Sequence, residues 1–133
     1  MKIQSFTITL IVSLLMLYSC KQAIKPEQLY GEWKYIKVES PNENPPLLMS
    51  EEDLRMDHPS IIFSGNDLVI MWGDKKLSYG KFQMEDQMIR YKENLGKGQI
   101  REFPFLVTEI SSDRLVFETM SQNLTTVTAI KVK

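Results

Sequence analysis

Between Ser60 and Lys131 the chain is cut into short strand-like runs by still shorter breaks, and that rhythm constrains the fold more than any single residue does. Runs at Ser60–Ser64, Asp67–Trp72, 76–84, 87–92, 100–109, Arg114–Thr119 and Thr125–Lys131 carry the β-branched and aromatic residues that suit a pleated surface. The breaks Gly65-Asn66, Gly73-Asp74, Glu85-Asp86, Ser111-Ser112-Asp113 and Gln122-Asn123 are rich in turn formers. Consecutive strands are therefore expected to pair antiparallel through hairpins. Only 93–99, with Asn94, Gly96 and Gly98, reads as a longer, mobile, lysine-bearing hairpin loop. A further run at 32–39, with Trp33, Tyr35, Ile36 and Val38, brings the total to about eight. At that number an up-and-down sheet can close into a small barrel and leave no free edge. Pro41, Asn42, Asn44, Pro45 and Pro46 make 40–46 a loop, and Ser50 followed by Asp53 predicts a short capped helix over Glu51–Asp57, ended by His58-Pro59. The expected fold class is all-β: a small antiparallel up-and-down barrel of about eight strands with one short helix.

Charge excludes one class of partner. Sixteen basic against seventeen acidic side chains give a formal net charge of −1 at pH 7, with no block of either sign. The aromatics lie in apolar runs rather than among lysines and arginines, so nucleic acid is not an expected partner.

The start of the chain says where the protein belongs. Lys2, a mostly apolar run from Phe6 to Leu17, and Leu17-Tyr18-Ser19-Cys20 form a basic front, an apolar core and a small residue at the exit, the pattern of a secretion signal. The last four residues resemble a bacterial lipobox. By that resemblance residues 1–19 are a lipoprotein signal peptide, Cys20 is the lipidated first residue of the mature chain, and 20–28 are a short tether to a domain over 29–133. Several acyl chains on one cysteine make a durable anchor where a single chain would not. The same resemblance implies the bacterial cell envelope, with Lys21 after the cysteine compatible with the outer membrane. Cys20 is the only cysteine, so lipid on its sulfur leaves no thiol for a disulfide, for thiolate catalysis or for a metal.

A second resemblance rests on Leu29-Tyr30-Gly31-Glu32-Trp33 at the head of the first strand. Together with Ile61-Ile62-Phe63 before Gly65-Asn66-Asp67, Gly80-Lys81-Phe82 before Glu85-Asp86-Gln87, and Arg114-Leu115-Val116-Phe117, it resembles the lipocalin-like domains of small bacterial lipoproteins. That family implies a barrel opened by Gly-x-Trp, with a basic side chain late in the chain packed over the indole. Arg114 and Lys131 are the late candidates here. It also implies binding of small apolar molecules.

Weighing individual residues narrows the chemistry. Trp33 reads as a core plug, and Phe63, Trp72, Phe82, Phe105 and Phe117 either fill the barrel or line a ligand site. His58 has Glu51, Glu52, Asp53 and Asp57 nearby in sequence, but consecutive acidic residues on a helix point different ways, so no metal site is expected. Gly96-Lys97-Gly98 lacks the rest of a phosphate loop, and no Gly-x-Ser-x-Gly occurs. The expectation is a non-enzyme without a cofactor.

The runs Ile61-Ile62-Phe63, Leu68-Val69-Ile70-Met71-Trp72 and Leu115-Val116-Phe117 are apolar on both faces. Leu47, Leu48, Met49, Leu54 and Met56 are the candidate cover, forming a lid docked on the sheet or over the barrel mouth. Two readings follow: a membrane-anchored module that binds a small apolar ligand or serves as a non-catalytic envelope component, or a solid-cored protein–protein interaction module. Cys20→Ser is expected to abolish acylation and release the domain from the membrane fraction or leave an uncleaved precursor. Fractionation with mass analysis checks it, and a processed, still acylated variant would overturn the lipobox reading.

Overall fold

The computed structural model describes residues 22–120 and 123–133. Cys20 and the segment before it lie outside the described residues. The strands are β1 (Gly31–Ser40), β2 (Leu47–Leu48), β3 (Ser60–Ser64), β4 (Asp67–Trp72), β5 (Lys75–Glu85), β6 (Met88–Gly96), β7 (Gln99–Ile110), β8 (Arg114–Thr119) and β9 (Thr125–Lys131), with one helix, α1 (Glu51–Asp57). β3 to β9 follow one another as antiparallel neighbours. β1 pairs with β3 through Gly31–Lys34 and with β9 through 33–39, which closes an eight-stranded antiparallel barrel. β2 is an extra strand on β1, paired at Glu39↔Leu48 and Ser40↔Leu47. The all-β barrel with one short helix is therefore the observed fold.

One expected loop is absent. Residues 93–99 form a tight hairpin: β6 runs to Gly96, β7 begins at Gln99, and Glu93↔Arg101 and Asn94↔Ile100 are paired across them. A bulge between Asn94 and Gly96 absorbs the extra residue. Lys97 and Gly98 both take positive φ, a turn geometry that follows the twist of the flanking strands.

Closure at one end depends on a single cluster. Trp33 is wholly buried, and its indole Nε1 donates to the Leu29 carbonyl at 2.8 Å. The Lys131 ammonium lies 4.6 Å from the centre of the Trp33 ring and donates to the Tyr30 carbonyl. Of the two late basic candidates, Lys131 is the one over the indole. Gly31 makes the stacking possible. Its φ is +115°, and a Cβ there would meet Lys131 Cε and Nζ at 2.7 Å.

Residues expected as a tether belong partly to this plug. Ile24 and Leu29 are buried, and Ile24 N–H donates to the Asp86 carbonyl at 2.9 Å. An isoleucine and a leucine beside an open barrel end gain more from covering it than from staying in water. Above the plug the core is aromatic: Phe63 meets Phe82 edge-on at 5.2 Å, Tyr91 stacks on Phe105 at 5.8 Å, and Phe105 tilts against Phe117 at 5.3 Å.

α1 takes the place of a strand along part of β1. Met49 N–H donates to the Val38 carbonyl and Tyr35 N–H to the Pro59 carbonyl, both at 2.9 Å, and the helix spans the interval between them. Ser50 caps it, accepting from Asp53 N–H at 3.1 Å. Its far end is tied to the β4–β5 turn through Gly73 N–H to the Asp57 carbonyl at 2.7 Å and through His58 Nε2 to Asp74 Oδ1 at 2.7 Å. Of the five cover residues, Leu54 is buried and Met49 is packed against the core, whereas Leu47, Leu48 and Met56 are exposed. The cover is thus a plug in the wall, anchored at both ends.

Trp33→Ala is expected to lose about 3–5 kcal/mol of stability, the range for emptying a buried large aromatic. Lys131→Met keeps an unbranched stem and removes the charge, and should lose about 0.5–2 kcal/mol. Urea denaturation of the two variants checks the order; a larger loss for Lys131→Met would mean the charge, not the plug, holds this end.

Candidate functional site

Inward-facing apolar side chains are half-buried at both ends of the barrel, Met84 and Ile110 lying beside the turns at the Trp33 end. Leu68, Ile89 and Leu115 are sealed, while Val38, Ile70, Trp72 and Phe103 pack on the same core but are only half-buried. The end opposite Trp33, framed by the β4–β5 and β6–β7 turns, is the mouth. Here apolar interior surface meets solvent around a built polar group.

That group starts from Glu93 on β6, which faces inward opposite Arg101 on β7. Arg101 Nη2 donates to Glu93 Oε1 at 2.6 Å, and its guanidinium lies 5.5 Å from the centre of the Phe103 ring. Ser78 on β5 donates through Oγ to Glu93 Oε2 at 2.5 Å. Ser78 Oγ also lies 2.5 Å from the Tyr91 hydroxyl. A hydroxyl has one proton, and Ser78 gives its own to a carboxylate that can only accept, so Tyr91 must donate to Ser78. The result is a directed chain from Tyr91 through Ser78 to Glu93, closed by Arg101.

Burial of the tyrosines shapes its acid–base behaviour. Desolvation raises the Tyr91 phenol above the ordinary tyrosine value and Glu93 adds to the rise, while Arg101 acts against it. Tyr35 is pushed up strongly, first by burial and then by Tyr91. Its ring stands edge-on to Trp72 at 6.3 Å and to Phe117 at 6.1 Å, linking the mouth to the filled core. Hydroxyls complete the rim on another side, where Ser40 Oγ and Thr125 Oγ1 are 3.0 Å apart.

The sequence-derived candidates divide clearly. Trp33, Phe63, Phe82, Phe105 and Phe117 are buried core, and Trp72 alone of that set reaches the mouth. Tyr35, Ser78, Tyr91, Glu93, Arg101 and Phe103 were not singled out. The signal that finds them is cross-strand register, which places Tyr91 beside Phe103 and Glu93 beside Arg101. His58 pairs with Asp74 of the β4–β5 turn, and both side chains are exposed. Among the described residues no group of three or more His, Cys, Asp or Glu is placed to hold a metal ion. What the mouth offers chemically is an aromatic and aliphatic wall with one oriented ion pair.

Comparison with family models, with curated proteins and with solved structures found no match to the chain.

The raised tyrosines predict an alkaline transition. Both phenols are raised in the folded state, so their contribution to stability is fully present below the unfolded tyrosine pKa of about 10 and is lost as pH rises through the folded values. Absorbance titration in the near ultraviolet should show Tyr35 and Tyr91 ionising late and together with unfolding. Tyr35→Phe and Tyr91→Phe should each remove part of that late phase; an unchanged late phase in both variants would contradict the assignment.

Proposed function

We propose that the chain is a lipid-anchored, lipocalin-like module of the bacterial cell envelope that binds a small, mainly apolar molecule at the barrel mouth. The lipobox-like Leu17-Tyr18-Ser19-Cys20 supports the anchor, and Lys131 over the Gly31-x-Trp33 indole supports the lipocalin-like reading. The observation that carries the binding assignment is the half-exposed apolar wall of Val38, Ile70, Trp72 and Phe103 at the same end of the barrel as the Glu93–Arg101 pair. Apolar side chains left wet inside a cup gain free energy when a ligand covers them, and the ion pair orients a polar end of that ligand. The filled core below limits the ligand to a small one. On this reading the Ser78–Glu93 contact serves to satisfy the inward carboxylate, and the module is non-catalytic.

A protein–protein module is the second reading. Leu48, Met56, Leu77, Leu95 and Ile100 are exposed, each with more than half of its surface in solvent, on elements that frame the mouth. Such a rim could receive a partner protein without any ligand.

Trp72 is the only half-exposed tryptophan of the described barrel, so it serves as the reporter. Titration with the apolar fluorophore phenyl-naphthylamine should give energy transfer from Trp72, and Phe103→Ala should weaken binding about tenfold, equivalent to about 1.4 kcal/mol. Binding unaffected by Phe103→Ala, or no binding at all, would reject the mouth as the site. Native mass spectrometry of the protein isolated from its host separates the two readings, since a small retained mass and a co-purifying protein differ in size.

A further inference from the structure

We infer that the barrel stands on the membrane on its Trp33 end, with the mouth directed away from the bilayer into the aqueous compartment. This rests on the reading of Cys20 as the lipidated anchor. Ile24 follows Cys20 by only four positions, a span of at most about 14 Å when fully extended. Ile24 is not part of a free tether. Its side chain is buried, its N–H is held by the Asp86 carbonyl, and the Gln22 carbonyl accepts from Gln87 Nε2 at 3.0 Å.

Asp86 and Gln87 form the β5–β6 turn, at the same end as the Trp33 plug and the β3–β4 and β7–β8 turns. The link at that end is direct: Lys131 N–H donates to the Asp113 carbonyl of the β7–β8 turn at 2.9 Å. The mouth lies at the other end of β6, nine residues away. A strand of that length tilted as in a small barrel rises roughly 20–25 Å along the axis. The tether is too short to carry the anchor from one end to the other.

Lying sideways is disfavoured by the flank next to the anchor. The outer faces of β5, β6 and β7 present Lys81, Glu85, Arg90, Lys92 and Glu102, with Arg90 paired to Glu85 at 3.0 Å and to Glu102 at 3.5 Å. Stripping water from those charges against acyl chains is costly. The turns at the Trp33 end, Gly65-Asn66 and Ser111-Ser112-Asp113, are small and polar and suit the headgroup layer. The exposed apolar residues of the mouth rim are then held farthest from the anchoring bilayer, so they serve a ligand or partner arriving through water rather than insertion into that bilayer.

The test uses the full-length lipoprotein in phosphatidylethanolamine–phosphatidylglycerol vesicles doped with headgroup-spin-labelled lipid. Ser112→Cys and Gln99→Cys each supply one fluorophore site, at the plugged end and at the mouth. The label at residue 112 should be quenched several-fold more than the label at residue 99. Equal quenching, or stronger quenching at residue 99, in protein whose intact mass shows acylated Cys20 would overturn the orientation and leave the anchor standing. Absence of acyl mass and of vesicle flotation would overturn the anchor and the orientation together. A long Gly-Ser spacer inserted after Lys21 should erase the contrast between the two labels while acylation persists; a contrast that survives the spacer would show that tether length does not set the orientation.

Discussion

The side chain on which the rest of this structure depends is the buried Trp33 indole, over which the bare backbone of Gly31 lets the Lys131 ammonium lie. β1 has to pair on both edges for the sheet to become a barrel, and its two partners, β3 and β9, are separated by most of the domain in sequence. Bringing β9 back to β1 closes a very long loop, which chain entropy opposes. At this end the first and last barrel strands are joined by a cation on a ring and by the same lysine on the carbonyl before Gly31, while the buried indole N–H is tied locally to the Leu29 carbonyl. Gly80 makes a comparable allowance elsewhere in the wall. A Cβ there would meet the Lys92 carbonyl oxygen at 2.0 Å, so β5 and β6 can lie as close as they do only with glycine at this position.

From that plug upward the barrel changes character. Its lower part is filled by interlocking aromatic rings, and its upper part ends in a half-wet cup with a carboxylate–guanidinium pair. Glu93 is tolerable so close to the core because each carboxylate oxygen has a donor and because Arg101 extends to solvent. The same pairing that satisfies Glu93 leaves Arg101 at the rim, where its guanidinium also covers Phe103.

Much of the architecture was legible in the residue pattern. Strand runs broken by Gly65-Asn66 and Gly73-Asp74 lead to the observed hairpins because turn chemistry is local. The helix over Glu51–Asp57 was legible for the same reason, since Ser50 and the acidic first turn act within one turn of backbone. Residues 93–99 misled because Asn94, Gly96 and Gly98 are loop formers, yet pairing with β7 holds Asn94 and Gly96 in a bulged strand. The expected tether was misread in the opposite sense: 22–28 are polar enough for a linker, but Ile24 finds a hydrophobic seat that only the assembled barrel provides. The cover residues split on position rather than on type, Leu54 facing the gap beside β1 while Leu47, Leu48 and Met56 point outward.

The sequence by itself determined an all-β chain of hairpins with one capped helix and a Gly-x-Trp strand start, because each depends on neighbours a few residues apart. Only the tertiary structure decided that Lys131 rather than Arg114 covers Trp33, that Trp72 reaches the mouth while Phe105 and Phe117 do not, and that Tyr91, Ser78, Glu93 and Arg101 form one polar chain. Those relations are set by strand register and barrel closure. A shift of one residue in any pairing would turn the same side chains to the opposite face.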